Sequence, residues 1–206
     1  MIDFLLELAV EDIHIAEIQL LDFITGMAEG LDPAPVMHDI IRRKQFLDGV
    51  VVSGGEPTLF PYLKEMLHWF REAANLPVKL DTNGSRPEVL EELLGLGLVD
   101  AVAMDIKAPW GKYADLAGTA VDTEKVRASL ELLRPLGRAL ELRTTFVPSL
   151  LSIEDLRDIH EQLNGDSRWI VQLFRPANAL DPALRETASP VREEVASALR
   201  GVRVRG

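Results

Sequence analysis

The feature that most constrains the fold is a regular alternation, from about residue 34 onward, of short apolar runs with amphipathic helical patterns. Short apolar runs bounded by turn residues are typical of strands buried on both faces of a parallel sheet. The predicted strands cover residues 49–53, 78–81, 99–105, 139–147 and 169–174.

Helical patterns fill the intervals between these runs. Repeated strand–helix units with right-handed crossovers build a parallel sheet covered by helices. The periodicity fits a partial α/β barrel and an open doubly wound sheet equally well. The helical positions are residues 36–46, then Leu90, Leu93 and Leu94 after Pro87, Val126, Leu130 and Leu133 after Asp122 or Thr123, Leu156, Ile159 and Leu163 after Ser152, and Val195 with Leu199.

The two ends of the chain depart from this alternation. Residues 2–24 are rich in Leu and Ile and fit one long helix, whereas Ile13, Ile15, Ile18 and Leu20 also fit a strand. We therefore predict a divergent N-terminal segment at 1–33 and one α/β domain at 34–206. Residues 201–206 fit either a short strand or a frayed tail.

The charge of the chain excludes some classes of partner. The formal net charge is −11, and an acidic surface repels a phosphate backbone, so we expect no nucleic-acid partner. No apolar stretch reaches the roughly 18 residues of a membrane span. The first residues carry acids where a signal peptide carries bases, so we expect a cytoplasmic protein with no membrane contact.

The 206 residues include no cysteine. This excludes disulfides, thiolate metal sites and cysteine nucleophiles in the chain. A GxSxG elbow and an HExxH zinc motif are also missing, and no histidine lies near Asp81 or Asp105 in the sequence to assist acid–base chemistry. Hydrolase chemistry is therefore a poor fit. The histidines are scattered, at His14, His38, His68 and His160.

The sharpest local motif is Ser53-Gly54-Gly55-Glu56-Pro57, directly after the first predicted strand. The two glycines permit positive φ angles and a close approach of a ligand to the backbone. Pro57 favours an extended conformation at Glu56. A carboxylate held in this way is suited to binding an ammonium group, although a plain strand-to-helix turn gives the same pattern.

Polar residues also follow the next two strands. Asp81 and Asn83 end one of them, and Asp105 and Lys107 end the other. Ligands of parallel α/β proteins bind at the carboxyl ends of the strands, so we expect these side chains to gather with Glu56 at one edge of the sheet.

Together, residues 46–59, 81–85 and 104–109 resemble the radical S-adenosylmethionine (SAM) enzymes that activate glycyl-radical enzymes. The resemblance is strongest to the activase of anaerobic ribonucleotide reductase, with pyruvate formate-lyase activase a near relative. It extends over roughly residues 34–176. It implies a partial, open parallel β/α barrel of about five or six strands with helices outside, and a glycyl-radical enzyme as partner.

The resemblance also implies roles for particular residues. Gly54, Gly55 and Glu56 match the motif that binds the methionine amino group of SAM, and Lys107 matches a residue near this cofactor. The expected cofactor-binding set is Gly54, Gly55, Glu56, Asp81, Asn83, Asp105 and Lys107. Positions that surround a monovalent cation in pyruvate formate-lyase activase match Asp81, Thr82, Met104 and Asp105, with Met104 acting through its carbonyl. Weaker candidates at later strand ends are Gln172, Arg175 and Arg143, for which a structural role is favoured.

One departure from the family is as specific as the match. The family places a first strand and a CxxxCxxC loop before the Gly-Gly-Glu turn, and three thiolates there hold a 4Fe–4S cluster. This chain cannot hold such a cluster, so we assign no catalytic residue and expect the chain to be inactive in radical chemistry by itself.

Three interpretations remain open at this point. The first is a barrel that has lost the cluster and the first strand, through evolution or through truncation of an active oxidoreductase. The second is a non-enzymatic protein that binds SAM or another cationic small molecule. The third is a scaffold, in which an exposed sheet edge or residues 2–24 contact another chain.

Overall fold

The computed structural model describes residues 15–19, 34–117, 121–179 and 181–206. Within these residues, seven strands form one sheet, all neighbours pair in parallel, and their order in space follows the sequence from β1 to β7. The strands are β1 (Ile15–Gln19), β2 (Gly49–Ser53), β3 (Val78–Thr82), β4 (Ala101–Asp105), β5 (Leu140–Phe146), β6 (Trp169–Leu173) and β7 (Arg203–Arg205).

The helices connect successive strands. A 3-10 turn at Pro57–Leu59 follows β2, another at Trp110–Lys112 follows β4, and a π-helical segment at Phe70–Ala74 extends the second helix. The α-helices are α1 (Ala34–Arg43), α2 (Leu63–Trp69), α3 (Pro87–Gly95), α4 (Tyr113–Leu116), α5 (Thr123–Leu133), α6 (Ile153–Gln162), α7 (Pro182–Arg185) and α8 (Arg192–Ala198). None of the helices in the described ranges has the length and apolar character needed to span a membrane.

The strand order distinguishes between the two predicted architectures. A doubly wound sheet reverses its order at a switch point, whereas this sheet has no reversal. The prediction of a partial parallel barrel with helices outside is therefore confirmed. The sheet is open, with β1 and β7 at the two ends of the order, and it has seven strands instead of five or six because both ends of the chain contribute one.

Strand β1 corrects one expectation. The hypothesis that the first strand is missing is wrong, because Ile15–Gln19 pairs in parallel with β2. A helix running through 2–24 is wrong over these five residues for the same reason, since pairing with β2 stabilises the extended form that β-branched Ile15 and Ile18 also favour. The other residues of 1–33 lie outside the described ranges, and a domain boundary at 33 stays a prediction.

The two faces of the sheet differ in chemistry. Successive side chains of a strand point to opposite faces, so one set of alternate residues packs against the helices. That outer face is apolar and includes Leu80, Met104 and Leu142, all fully buried. The inner face, turned away from this apolar core, carries a row of polar and charged side chains: Lys79, Asp81, Asp105, Glu141, Arg143, Gln172 and Arg205.

Helix starts agree with the sequence pattern. Pro87 occupies the first turn of α3, and the Asp122 side chain accepts a hydrogen bond from Glu124 N at the start of α5. Ser152 and Asp155 form a reciprocal capping box at the start of α6. These local signals fix where each helix begins, and hence how long each strand-end loop can be.

Candidate ligand-binding site

The turn after β2 has the backbone conformation that its glycines predict. Gly54 has φ 93° and Gly55 has φ 61°, both in the region that disfavours residues with a Cβ. Gly55 is exposed, and no atom lies within 4 Å of the position that a Cβ would occupy. A ligand can therefore approach the backbone of this turn closely.

The Glu56 side chain is held by hydrogen bonds from both neighbouring turns. Its Oε1 accepts from Thr58 N at 3.1 Å, from Thr58 Oγ1 at 2.6 Å and from Thr82 Oγ1 at 2.8 Å. Its Oε2 accepts from Asn83 N at 2.6 Å. The turn after β2 is thus tied to the turn after β3, and the carboxylate is fixed before any ligand arrives.

This arrangement leaves capacity on one oxygen. A carboxylate oxygen offers roughly two acceptor sites, so Oε1, with three donors, is saturated and Oε2, with one, is not. All four donors are neutral groups. Within the described ranges, no lysine, arginine or histidine forms an ion pair with Glu56, which is half-buried and retains uncompensated negative charge.

The turn after β3 is itself fixed by close packing. Gly84 has φ 72°, and a Cβ at this residue would lie 2.3 Å from Met104 Cε. The buried Ser129 hydroxyl of α5 donates to the Gly84 carbonyl at 2.7 Å. The Asn83 side chain accepts from Ser85 N at 2.9 Å. These contacts orient the Asn83 N–H toward Glu56.

A second cluster lies on the inner face, where the ends of β3 and β4 meet the middle of β5. Arg143 Nη1 donates to Asp81 Oδ2 at 2.8 Å, and Arg143 Nε donates to Asp105 Oδ1 at 3.1 Å. Arg143 Nη2 is 3.1 Å from the same Asp105 oxygen. One guanidinium therefore bridges both carboxylates that the sequence places at these strand ends.

Charge and burial set the protonation of this cluster. Burial opposes the charge of Arg143, but Asp105 and then Asp81 outweigh it, so the pKa of the guanidinium is raised. Burial lowers the pKa of Lys79, against the opposing effects of Asp81 and Glu141. Asp81 Oδ1 is buried with no hydrogen-bond donor among the described residues, and Lys79 Nζ lies 3.8 Å from it.

A pocket of about 180 Å³ opens beside this cluster. Lys107 lies at its rim, with Nζ 3.6 Å from Asp105 Oδ2, and Tyr113 braces the loop by accepting from Lys107 N and donating to the Asp105 carbonyl. Arg143, Lys107 and Thr145 supply polar groups. The apolar wall consists of Ile106, Leu116, Val147, Leu150 and Leu151.

The structure brings the predicted cofactor-binding residues into two linked groups. Gly54, Gly55, Glu56 and Asn83 form the first, while Asp81, Asp105 and Lys107 form the second with Arg143. Sequence reasoning missed Thr58, Thr145 and Tyr113. The Glu-Pro-Thr order was the available signal for Thr58, because a residue two positions after a turn-forming side chain is its usual hydrogen-bond donor.

The predicted cation ligands do not converge through their side chains. Asp81 and Asp105 lie on the inner face, where Arg143 binds both, whereas the Thr82 hydroxyl donates to Glu56 and Met104 is buried on the outer face. The cation site stays a prediction. Of the weaker candidates, Arg143 is central, Gln172 contacts Arg205, and Arg175 is exposed.

Metal-binding potential is low across the residues that the structure describes. In those ranges no group of three or more His, Cys, Asp or Glu side chains is placed to hold a metal ion. The chain also has no cysteine. The donor set therefore does not fit an iron–sulfur cluster.

Comparison with known proteins identifies the fold family. The model of the radical SAM superfamily matches residues 21–163. A protein of Methanocaldococcus jannaschii named as a putative glycyl-radical enzyme activating enzyme is 32% identical over 179 residues, which cover 85% of this chain and 74% of that protein.

Two solved structures share the fold at low identity. A domain of pyruvate-formate lyase-activating enzyme from Bacteroides vulgatus superposes with a TM-score of 0.55 at 18% identity, over 76% of this chain and 96% of that one. Streptococcus suis SuiB bound to its precursor peptide SuiA gives 0.63 at 13% identity, over 85% of this chain but only 43% of SuiB. The sheet order, the strand-end motifs and these matches agree, and the chain belongs to the radical SAM superfamily.

Proposed function

We propose that the chain is an activating-enzyme-type radical SAM barrel that keeps a SAM-binding site but holds no iron–sulfur cluster. The observation that carries the proposal is the Glu56 carboxylate, which is fixed by neutral donors and retains both negative charge and one acceptor position on Oε2. A ligand with an ammonium group satisfies both.

The amino-acid end of SAM fits this edge of the sheet. Its ammonium can donate to Glu56 Oε2, and the exposed Gly55 leaves room for it beside the backbone. A charge-assisted hydrogen bond of this kind contributes about 1.5–3 kcal/mol. The positive φ angles at both glycines explain why residues with a Cβ are disfavoured in this turn.

The pocket beside Arg143 supports the proposal for the acidic end of the ligand. Each terminal nitrogen of Arg143 carries a pair of N–H groups, and the contacts with Asp81 and Asp105 engage one on each. Lys107 adds a half-exposed ammonium at the same rim. These donors suit a carboxylate. When bound, SAM would supply an adenosyl group activated by its sulfonium, and the residues of this chain would hold its amino-acid end.

The cluster does not fit, and no step is assigned to it. Its ligands in the family are thiolates, which this chain lacks. We therefore expect binding without reductive cleavage when the chain is alone.

The position of β1 supports the proposed absence of a cluster. In the family resemblance the cysteine loop follows the first strand. Here β1 ends at Gln19, and the segment from there to α1 contains no cysteine.

Calorimetric titration of SAM into the full chain tests the proposal. We expect saturable binding that falls by at least about tenfold in Glu56→Gln, because the neutral amide removes the charge that attracts the ammonium. Glu161→Gln, the same change on exposed α6, is the matched control and should bind as the unchanged chain does. Equal affinity in all three proteins would contradict the assignment of Glu56.

Incubation of the chain with SAM and a reductant under anoxic conditions tests the proposal that the chain alone does not cleave SAM. We expect no 5′-deoxyadenosine from the purified chain. Its formation would show that the chain obtains a cluster in some other way and would overturn the proposed loss of redox activity.

The alternative function is that of a non-enzymatic scaffold, which would be favoured if the chain does not bind SAM. A glycyl-radical enzyme is the proposed partner, supported by the name of the M. jannaschii relative. Co-migration of that class of enzyme with this chain in size-exclusion chromatography would support it, and independent elution at micromolar concentrations would count against it.

A further inference from the structure

We infer that Arg143 is the fixed counter-cation of the Asp81–Asp105 pair, so that neither the stability of the chain nor its affinity for SAM depends on bound Na⁺ or K⁺. The family resemblance places a monovalent cation among Asp81, Thr82, Met104 and Asp105. The structure places a guanidinium between the two carboxylates of that set. The part of the inference that concerns ligand affinity rests on the proposed function, and the rest does not.

The geometry of Arg143 satisfies both carboxylates at once. Asp105 and Arg143 are directly paired across β4 and β5, and Asp81 is paired with Ala103, two residues before Asp105. This register lets one planar side chain reach both acids, at 2.8 Å and 3.1 Å. A guanidinium binds carboxylates through several directed N–H groups, which a spherical ion cannot do.

Burial makes the pairing strong. The side chains of Arg143 and Asp81 are 12% and 13% exposed, so solvent screens their attraction weakly. A mobile ion would have to displace this contact and shed its own hydration to replace it. The fixed guanidinium needs neither step.

The negative charges of Asp81 and Asp105 are already compensated by basic side chains of the chain. Arg143 and Lys107 carry two positive charges against the two negative charges of Asp105 and Asp81. Lys79 lies 3.8 Å from Asp81 Oδ1, and the Glu141 carboxylate also acts on Lys79 and Arg143. Asp81 and Asp105 therefore already have nearby positive charges of the chain, and a bound Na⁺ or K⁺ would add a further one.

The remaining expected ligands have other partners. The Thr82 hydroxyl donates to Glu56 and accepts from Gly84 N at 3.1 Å. Thr82 thus serves the Glu56 site.

Arg143 binds Asp81 Oδ2 and Asp105 Oδ1, and Lys107 Nζ lies 3.6 Å from Asp105 Oδ2. Asp81 Oδ1 is buried with no hydrogen-bond donor in the described ranges. The expected site therefore offers a cation one open carboxylate oxygen and not a shell of ligands, and its residues fit a cation poorly.

Thermal unfolding in different salts tests the inference directly. The full chain is melted in about 0.1 M choline, sodium or potassium chloride, where the Debye length is the same for all three. We expect one unfolding temperature in the three salts. A saturable rise in Na⁺ or K⁺ relative to choline would overturn the inference, with the undonated Asp81 Oδ1 as the atom where the ion would bind.

The variant Arg143→Met distinguishes between two roles of Arg143, as a counter-cation of Asp81 and Asp105 and as a side chain that only fills space. We expect it to unfold roughly 6–20 °C lower in choline chloride and to regain part of the loss in KCl or on addition of guanidinium at low millimolar concentration. Arg127→Met, an exposed residue of α5 paired with Glu124, should show no such recovery. An Arg143→Met protein that folds but ignores both cations would contradict the inference.

The titration of SAM in choline and potassium chloride gives a measurement that requires no mutation. We expect the two affinities for SAM to agree within about twofold, because the ionic strength, and hence the screening of charges, is the same in both salts. An increase of tenfold or so in K⁺ would overturn the inference. If SAM binds in neither salt, the proposed function fails while the melting experiment still decides the role of Arg143.

Discussion

Two carboxylate sites at the same edge of the sheet are held in different ways. Glu56 accepts four hydrogen bonds from neutral groups, whereas Asp81 and Asp105 share one guanidinium. Neutral donors fix a carboxylate without cancelling its charge, and a guanidinium does both. The first site can therefore attract a cationic group, while at the second the negative charges are compensated and the guanidinium joins β3, β4 and β5.

The largest effect should come from removing the charge partner at the second site. We expect Arg143→Met to lower the free energy of unfolding by about 3–5 kcal/mol, because the buried Asp81 carboxylate and the partly exposed Asp105 carboxylate both lose their counter-charge. Urea unfolding at fixed ionic strength measures it. Arg127→Met, on the surface, should change stability by less than about 0.5 kcal/mol, and a similar cost for both would refute the contrast.

The next effect concerns the turn that holds the first site. Gly84→Ala combines a positive φ with a clash against Met104, so we expect a loss of about 2–4 kcal/mol and weaker SAM binding. Gly95→Ala is the matched control, since it lies in α3 with open space around it and should be neutral or slightly stabilising. Equal unfolding midpoints for the two variants would argue against the close packing of Gly84.

A smaller difference should separate the two carboxylates of the second site. Asp81 is 13% exposed and Asp105 is 38% exposed. We expect Asp81→Asn to cost about 1–3 kcal/mol and Asp105→Asn about 0–1 kcal/mol, because water compensates the more exposed group. A larger cost at Asp105, measured by the same unfolding experiment, would show that the exposure of the carboxylate does not determine the cost of removing its charge.

The last effect appears only at high pH and is absent near neutrality: a pH dependence at Tyr113, which braces the loop after β4. Burial raises its pKa to about 12. The folded chain keeps a proton that the unfolded chain releases near pH 10, so stability should fall as the pH rises from about 10 to about 12. In Tyr62→Phe, Tyr113 is the remaining tyrosine, and the absorbance of tyrosinate should appear near pH 12. Its appearance near pH 10 in the folded protein would contradict this.

Most of the fold could be predicted from local sequence patterns. The run predicted at 49–53 coincides with β2, and the Ser152–Asp155 signal marks a real capping box, because both depend on neighbouring residues alone. Strand β1 was ambiguous since its apolar residues fit two periods. Its extended form depends on pairing with β2, which lies more than thirty residues later in the chain, and no local pattern encodes that contact.

The site was predicted less completely because its contacts depend on register. Arg143 is 62 residues from Asp81 and 38 from Asp105, so its bridging role follows only from how β3, β4 and β5 align. Alternation along β3 separates the side chains of two of the predicted cation ligands. Thr82 follows Asp81 directly and therefore points to the other face, where it reaches Glu56.

The register of β1 has a consequence for protein engineering. Gln19 lies opposite Ser53, so the chain leaves β1 at the level of the Gly-Gly-Glu turn. The carboxyl end of β1 therefore lies at the edge of the sheet that carries Glu56. Three cysteines in CxxxCxxC spacing could be introduced after Gln19. Comparing this variant with the unmodified chain would separate what the barrel contributes to SAM binding from what an iron–sulfur cluster contributes to SAM cleavage.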